Sequence, residues 1–116
     1  MSAEATVKGW AGRLIAREAH RSHSDKSIAL RTVARRIGLA PGSLENVVRG
    51  RAKRLTIGIT EAIRGAVVRE LEHEIASLNH ELQLARASGA DPRSLQVAEI
   101  EALLAKAEAL LRQGTR

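Results

Sequence analysis

The sequence predicts an all-α protein: an N-terminal helix-turn-helix module followed by a long antiparallel helical hairpin. Two observations carry this expectation. Apolar residues recur at steps of three and four through residues 4–21, 60–88 and 92–113, the spacing that gathers them on one face of an α-helix. Between these stretches stand residues that stop and restart helices: Gly38 with Pro41, then Gly50, then Gly89 with Asp91 and Pro92.

The first helix covers residues 4–21, where Val7, Trp10, Ala11 and Leu14 share a stripe, Ile15 widens it and Arg13 points away. Residues 22–27, SHSDKS, are polar and rich in capping side chains, so Ser24 or Asp25 caps a second helix that runs to about Ile37. In the stretch 30–49, LRTVARRIGLAPGSLENVVR, the second helix offers Val33, Ala34 and Ile37 to a small core. Ala34 stands four residues before Gly38, Leu44 six after it and Val47 three beyond that. A residue larger than Ala at the first place would hold two helices apart, and a β-branched residue at the glycine would resist the left-handed turn. Pro41 suits the first turn of the third helix, because the N–H it lacks would go unpaired there, and Gly50 closes that helix.

A basic connector, RGRAKRLTIGIT, leads into a long helix expected from Thr60, as N-cap, to about Ser88. Its apolar positions are Ile63, Val67, Leu71, Ile75, Leu78, Leu82 and Ala85, and the later steps are heptad-like. Gly89 ends it, Asp91 caps a last helix beginning at Pro92, and Val97, Ile100, Leu104, Ala107 and Leu111 form that helix's stripe, widened by Leu103 and Leu110. At about 1.5 Å per residue the long helix spans roughly 43 Å, more than the small N-terminal module can cover. Self-association, most simply as a homodimer, is the expected cover, through Leu71, Ile75, Leu78, Leu82, Ile100, Leu104 and Leu111; folding back on the first helix is the alternative.

Length and composition narrow the function. A chain of 116 residues holds one domain or a small domain with an appendage, expected here as residues 1–56 and 57–116, and has no room for a large catalytic core. There is no cysteine, which excludes disulfides, thiolate nucleophiles and cysteine zinc sites. No secretory signal opens the chain and no run of about 18 apolar residues occurs, so the expected location is cytoplasmic, of bacterial or phage type and nucleoid-associated, with no membrane partner. Net charge is +6, unevenly spread: residues 1–64 hold 13 Lys and Arg against 5 Asp and Glu, a charge of +8, and residues 65–116 hold 6 against 8, a charge of −2. The basic half suits a polyanion such as double-stranded DNA, and the near-neutral half is free to self-associate. Arg outnumbers Lys 15 to 4, which genomic base composition explains; the crowding into one half it does not. Trp10 is the lone aromatic residue, which argues against base stacking on single strands.

The stretch VARRIGLAPGSLENVV resembles the helix-turn-helix of the lac-repressor and Cro or phage-repressor superfamilies, over about 20 residues of the chain. The resemblance implies that the helix starting near Pro41 enters the major groove, and that Gly42, Ser43, Glu45, Asn46 and Arg49 contact bases or phosphates. Asn46 suits adenine and Arg49 guanine. Glu45 accepts from a cytosine amino group or pairs with Arg49 four residues on. Arg51, Lys53 and Arg54, beside flexible glycines, suit the phosphate backbone, with a solvated charge run as the plain alternative; Arg31, Arg35 and Arg36 suit the flanking backbone. His20 with His23, and His73 with His80 near Glu72 and Glu74, read as surface histidines, and no metal, cofactor, small-molecule ligand or catalytic site is expected. The expected role is a sequence-specific transcriptional regulator, a repressor because nothing resembles an effector pocket or an activation surface. The alternatives are an architectural or packaging protein, nucleoid-associated or similar to a phage small terminase, and a helical protein-interaction adaptor.

Overall fold

The structure, a computed structural model, describes residues 3–52, 54–89 and 91–115; Lys53, one of the expected phosphate contacts, lies outside the described residues. Among those described, the protein is all-helical, with five α-helices and no strand: α1 (Ala3–Ser22), α2 (Lys26–Ile37), α3 (Pro41–Val48), α4 (Ile57–Ala87) and α5 (Leu95–Gly114). None of them is long and apolar enough to cross a membrane. The chain forms two compact units, Met1–Val67 and Val68–Arg116, divided inside α4.

In the first unit α1 packs on both α2 and α3, and α2 packs on α3. The amphipathic spacing dictates what meets: Val7, Ala11, Leu14 and Ile15 from α1, Ala29, Val33 and Ala34 from α2, and Leu44 and Val47 from α3 are all buried. Ala11, Ala29 and Ala34 have no exposed surface at all, and these small residues let the helix axes come close. Trp10 and Ile37, expected in this core, are half-buried at its margin, and so is Arg13, expected on the far side of its helix. Ile63 and Val67, in the opening turns of α4, are buried as well.

Two caps differ from expectation. Thr60 already lies inside α4; Thr56 caps that helix, its Oγ1 accepting from the Ile59 N–H at 3.1 Å. The β-branched and glycine residues between them make a poor helix by propensity, yet a side-chain acceptor at the right offset starts it earlier. At the other end, Asp91 and Pro92 do not open α5. The Asp91 carboxylate accepts from the Arg93 N–H at 2.9 Å and its carbonyl from the Ser94 N–H at 2.8 Å, which closes a turn. Ser94 is the cap, accepting from the Val97 N–H at 3.3 Å.

The second unit is built on one seam. Leu78 and Leu82 of α4 pack with Val97, Ile100 and Leu104 of α5, and Ile75 and Ala85 lie against them. Near the end of α5, a Cβ on Gly114 would come within 3.2 Å of the Val68 side chain. The two helices therefore run side by side in opposite directions, joined through Gly89 at φ +82°. Of the residues named for self-association, Leu71, Leu78, Leu82, Ile100 and Leu104 are buried within the chain, and Ile75 and Leu111 are half-buried. A helix pair must first use its best apolar stripe on itself, so the surface left over is different: Leu84, Leu95 and Leu103 are 57%, 76% and 51% exposed.

Candidate nucleic-acid interface

The corner between α2 and α3 fixes the orientation of every residue that the sequence singles out for DNA on these helices. Asp25 starts α2, its carboxylate accepting from the Ile28 N–H at 2.9 Å. Gly38 ends it at φ +77°, a conformation that a Cβ makes costly, and the N–H of Leu39 returns to the Ala34 carbonyl at 2.9 Å. Ala40 is extended, as a residue before proline must be, and Pro41 opens α3. The Ser43 and Leu44 N–H groups bond the Ala40 carbonyl, so the new helix is under way within two residues of the turn.

Because Leu44 and Val47 face the core, Gly42, Asn46 and Arg49 fall on the opposite stripe of α3, and all three carry exposed or half-exposed surface. A Cβ built on Gly42 would meet nothing within 4 Å, so that backbone is open to close approach. Ser43 and Glu45 are half-buried on either flank. Of the two roles open to Glu45, this structure forms the second: its carboxylate holds Arg49 Nε at 3.0 Å. With the two side chains 46% and 55% exposed, the pair is weak and open to exchange for another partner.

Beyond α3 the chain is less free than its glycines suggest. Gly50, at φ +69°, donates to the Val47 carbonyl at 3.1 Å, and the Arg51 and Ala52 N–H groups both donate to the Asn46 carbonyl, at 2.8 and 3.2 Å. Arg51 is thus held at the end of α3, exposed, as is Arg54 further along. A cation that the sequence did not point to joins them. Lys8, on α1, lies over Gly50, its Nζ 3.4 Å from where a Cβ would be. Only the packing of α1 on α3 brings it there, and no spacing rule links residues so far apart.

A cleft of about 420 Å³ opens between α2 and α3. Lys26, Arg31 and Arg49 lie around it, Glu45 among them, over a floor that includes Ile15, Leu30 and Val48. Arg31 is therefore brought together with α3, and Lys26 is a further cation missed in the sequence. Arg35 is exposed in the last turn of α2, where its charge suits the helix dipole.

Arg36 does something else. It pairs with Glu18, the single buried charged residue among those described, and Arg21 pairs with the same carboxylate oxygen. The Arg21 hydrogen bond draws the Glu18 carboxyl below its usual range, against the opposing effect of burial, and Arg36 adds to the lowering. The Arg36 guanidinium thereby ties α2 to α1, while its side chain stays 44% exposed. A lone Glu on an amphipathic helix gives no sign of which distant arginine it will meet.

No known protein family, no curated protein and no solved structure matches this chain.

Proposed function

We propose that the Met1–Val67 unit is a double-stranded-DNA-binding module of the helix-turn-helix kind, with α2 as support and α3 as the helix that enters the major groove. In this reading the chain is a sequence-specific transcriptional regulator, a repressor, acting as a homodimer through the remainder of the molecule. One observation carries it: the Gly38 corner leaves Gly42, Asn46 and Arg49 on an open stripe in the unit whose charge is +8. Asn46 and Arg49 are side chains that bond two atoms of one base edge, and Lys8, Lys26, Arg31, Arg51 and Arg54 supply sequence-independent attraction around them.

The pairing of Arg49 with Glu45 favours a second reading, in which the cations grip only phosphates and the protein is architectural or packages DNA. Titration of selected and random duplexes over a range of salt separates the two. A regulator binds its site at least about a thousandfold better than random DNA, an architectural protein binds both alike, and both show steep salt dependence. Little affinity for any duplex overturns the DNA reading and leaves a protein-interaction adaptor.

A further inference from the structure

The exposed face of α5 is complementary to itself. At about 100° per residue, Leu95, Glu99, Ala102, Leu103, Lys106 and Leu110 lie within one stripe of α5, to one side of the buried Val97, Ile100 and Leu104. Leu95 and Leu103 are 76% and 51% exposed, Leu110 is half-buried, and Glu99, Ala102 and Lys106 are exposed. Among the described residues no ion pair engages Glu99 or Lys106. An antiparallel copy of the helix, related by a two-fold axis between residues 102 and 103, sets Leu95 against the partner's Leu110, Glu99 against the partner's Lys106 and Ala102 against the partner's Leu103. Every apolar residue then meets an apolar one, and the two-fold axis forms the Glu99–Lys106 pair twice. A parallel pairing sets Glu99 on Glu99 and Lys106 on Lys106.

We infer that the occupant of this face is a second copy of the chain, docked antiparallel through α5 in that register. Symmetry favours it, because a two-fold interface needs a patch that fits itself, and charge order along a helix selects direction. The small Ala102 at the axis lets the two helices approach closely. The inference deepens the homodimer part of the proposed function. It does not depend on the DNA-binding part, and it replaces the buried seam residues as the site of association.

The test is sedimentation of the intact protein without DNA, with circular dichroism as a check on helix content. The parent should sediment as a dimer and Leu103→Glu as a monomer of unchanged helicity. Glu99→Lys or Lys106→Glu alone should raise the dissociation constant about tenfold at low salt, and the two together should return it to within about twofold of the parent. A parent that is monomeric at tens of micromolar overturns the inference. So do single reversals that leave association unchanged or tighten it, or a double reversal as weak as either single. Register has its own readout, since the chain has no cysteine. Ala102→Cys sits beside its own copy and should form a disulfide dimer on oxidation. Leu95→Cys, about 22 Å from its copy in this register, should do so only when mixed with Leu110→Cys. Rapid cross-linking of Leu95→Cys alone overturns the register. Failure to bind duplex DNA would leave all of these results untouched, so the two readings fail separately.

Discussion

Both units turn on a glycine in the left-handed region, Gly38 at φ +77° and Gly89 at φ +82°, and the structures they build differ completely. Around Gly38 three helices of 20, 12 and 8 residues converge on a shared core, and their described cations other than the half-buried Arg13 are exposed. Around Gly89 the 31-residue α4 and the 20-residue α5 share one seam, and residues 65–116 carry −2 where residues 1–64 carry +8. The turn decides only that the chain reverses. The packing on either side of it depends on the flanking helices: short ones with small apolar residues can meet a third helix, whereas long ones bury a stripe against each other and keep a second stripe exposed.

The contrast is most sharply tested at the core of the first unit. Leu44 has no exposed surface and α3 is short, so Leu44→Ala should cost about 2–5 kcal/mol and remove a measurable share of helical content at 37 °C. Leu82→Ala, at a seam residue 8% exposed, should cost less, near the lower end of that range. Denaturant titration of both variants measures the difference. Equal losses would mean that a shared three-helix core and a two-helix seam hold their leucines with equal tightness.

Next come the two glycines. A Cβ at Gly38 or Gly89 would touch nothing within 4 Å, so the penalty begins with strain in the backbone. Gly38→Val and Gly89→Val should each lose about 1–3 kcal/mol by thermal melting. If Gly38→Val melts like the parent, the left-handed corner is not what orients α3. Under the DNA-binding proposal duplex affinity sharpens the contrast, since the Gly38 variant should lose more of it than the Gly89 variant.

These turns, with a cap at Ser24 or Asp25 and the α1 and α3 stripes, were legible in the sequence because their causes are local: a φ that favours glycine, a side-chain oxygen a few residues before an N–H, apolar residues at helical steps. The caps at Thr56 and Ser94 were misplaced by a few residues because Thr60 and Asp91 are equally good cap residues, and only the backbone path chooses among neighbours. Direction on the hairpin was half legible. The periodicity identified Leu78, Leu82, Ile100 and Leu104 as apolar faces, but it does not say whether the facing helix belongs to the same chain. Least legible were the long-range meetings, Arg36 with Glu18 and Lys8 with Gly50, which depend on how three helices pack.

The Glu18 site tests one of those meetings. A carboxyl held below its usual range stabilises the fold fully above the pH at which it would titrate when unfolded, about 4.5, and that stability is lost as pH falls further through the folded value. Its partners are exposed, Arg36 by 44% and Arg21 by 62%, so removing the charge costs less than for a fully buried pair. Glu18→Gln should lower stability at pH 7 by about 1–2 kcal/mol and flatten the fall below pH 4.5. Melting curves between pH 3 and 7 measure both. A variant whose acid profile matches the parent's would show that the pairing of Glu18 with Arg21 and Arg36 adds nothing to stability.

The smallest expected effect is the most diagnostic for the interface. Lys8 belongs to α1, outside the corner, and reaches the exit of α3 only by packing. If that exit lies along a phosphate backbone, Lys8→Ala should remove about one counterion from the exchange, flattening the slope of log affinity against log salt by about 0.9 on specific and random duplexes alike. Fold stability should be unchanged within about 0.5 kcal/mol, because the side chain is exposed. Arg51→Ala should behave in the same way, and the pair together should double the change, since each neutralises its own phosphate. Arg112→Ala, an exposed cation in the −2 stretch that lies off the α5 face proposed for dimerisation, is the control and should leave the slope where it was. Equal changes from Lys8→Ala and Arg112→Ala would mean that any grip on DNA comes from net charge rather than from this surface.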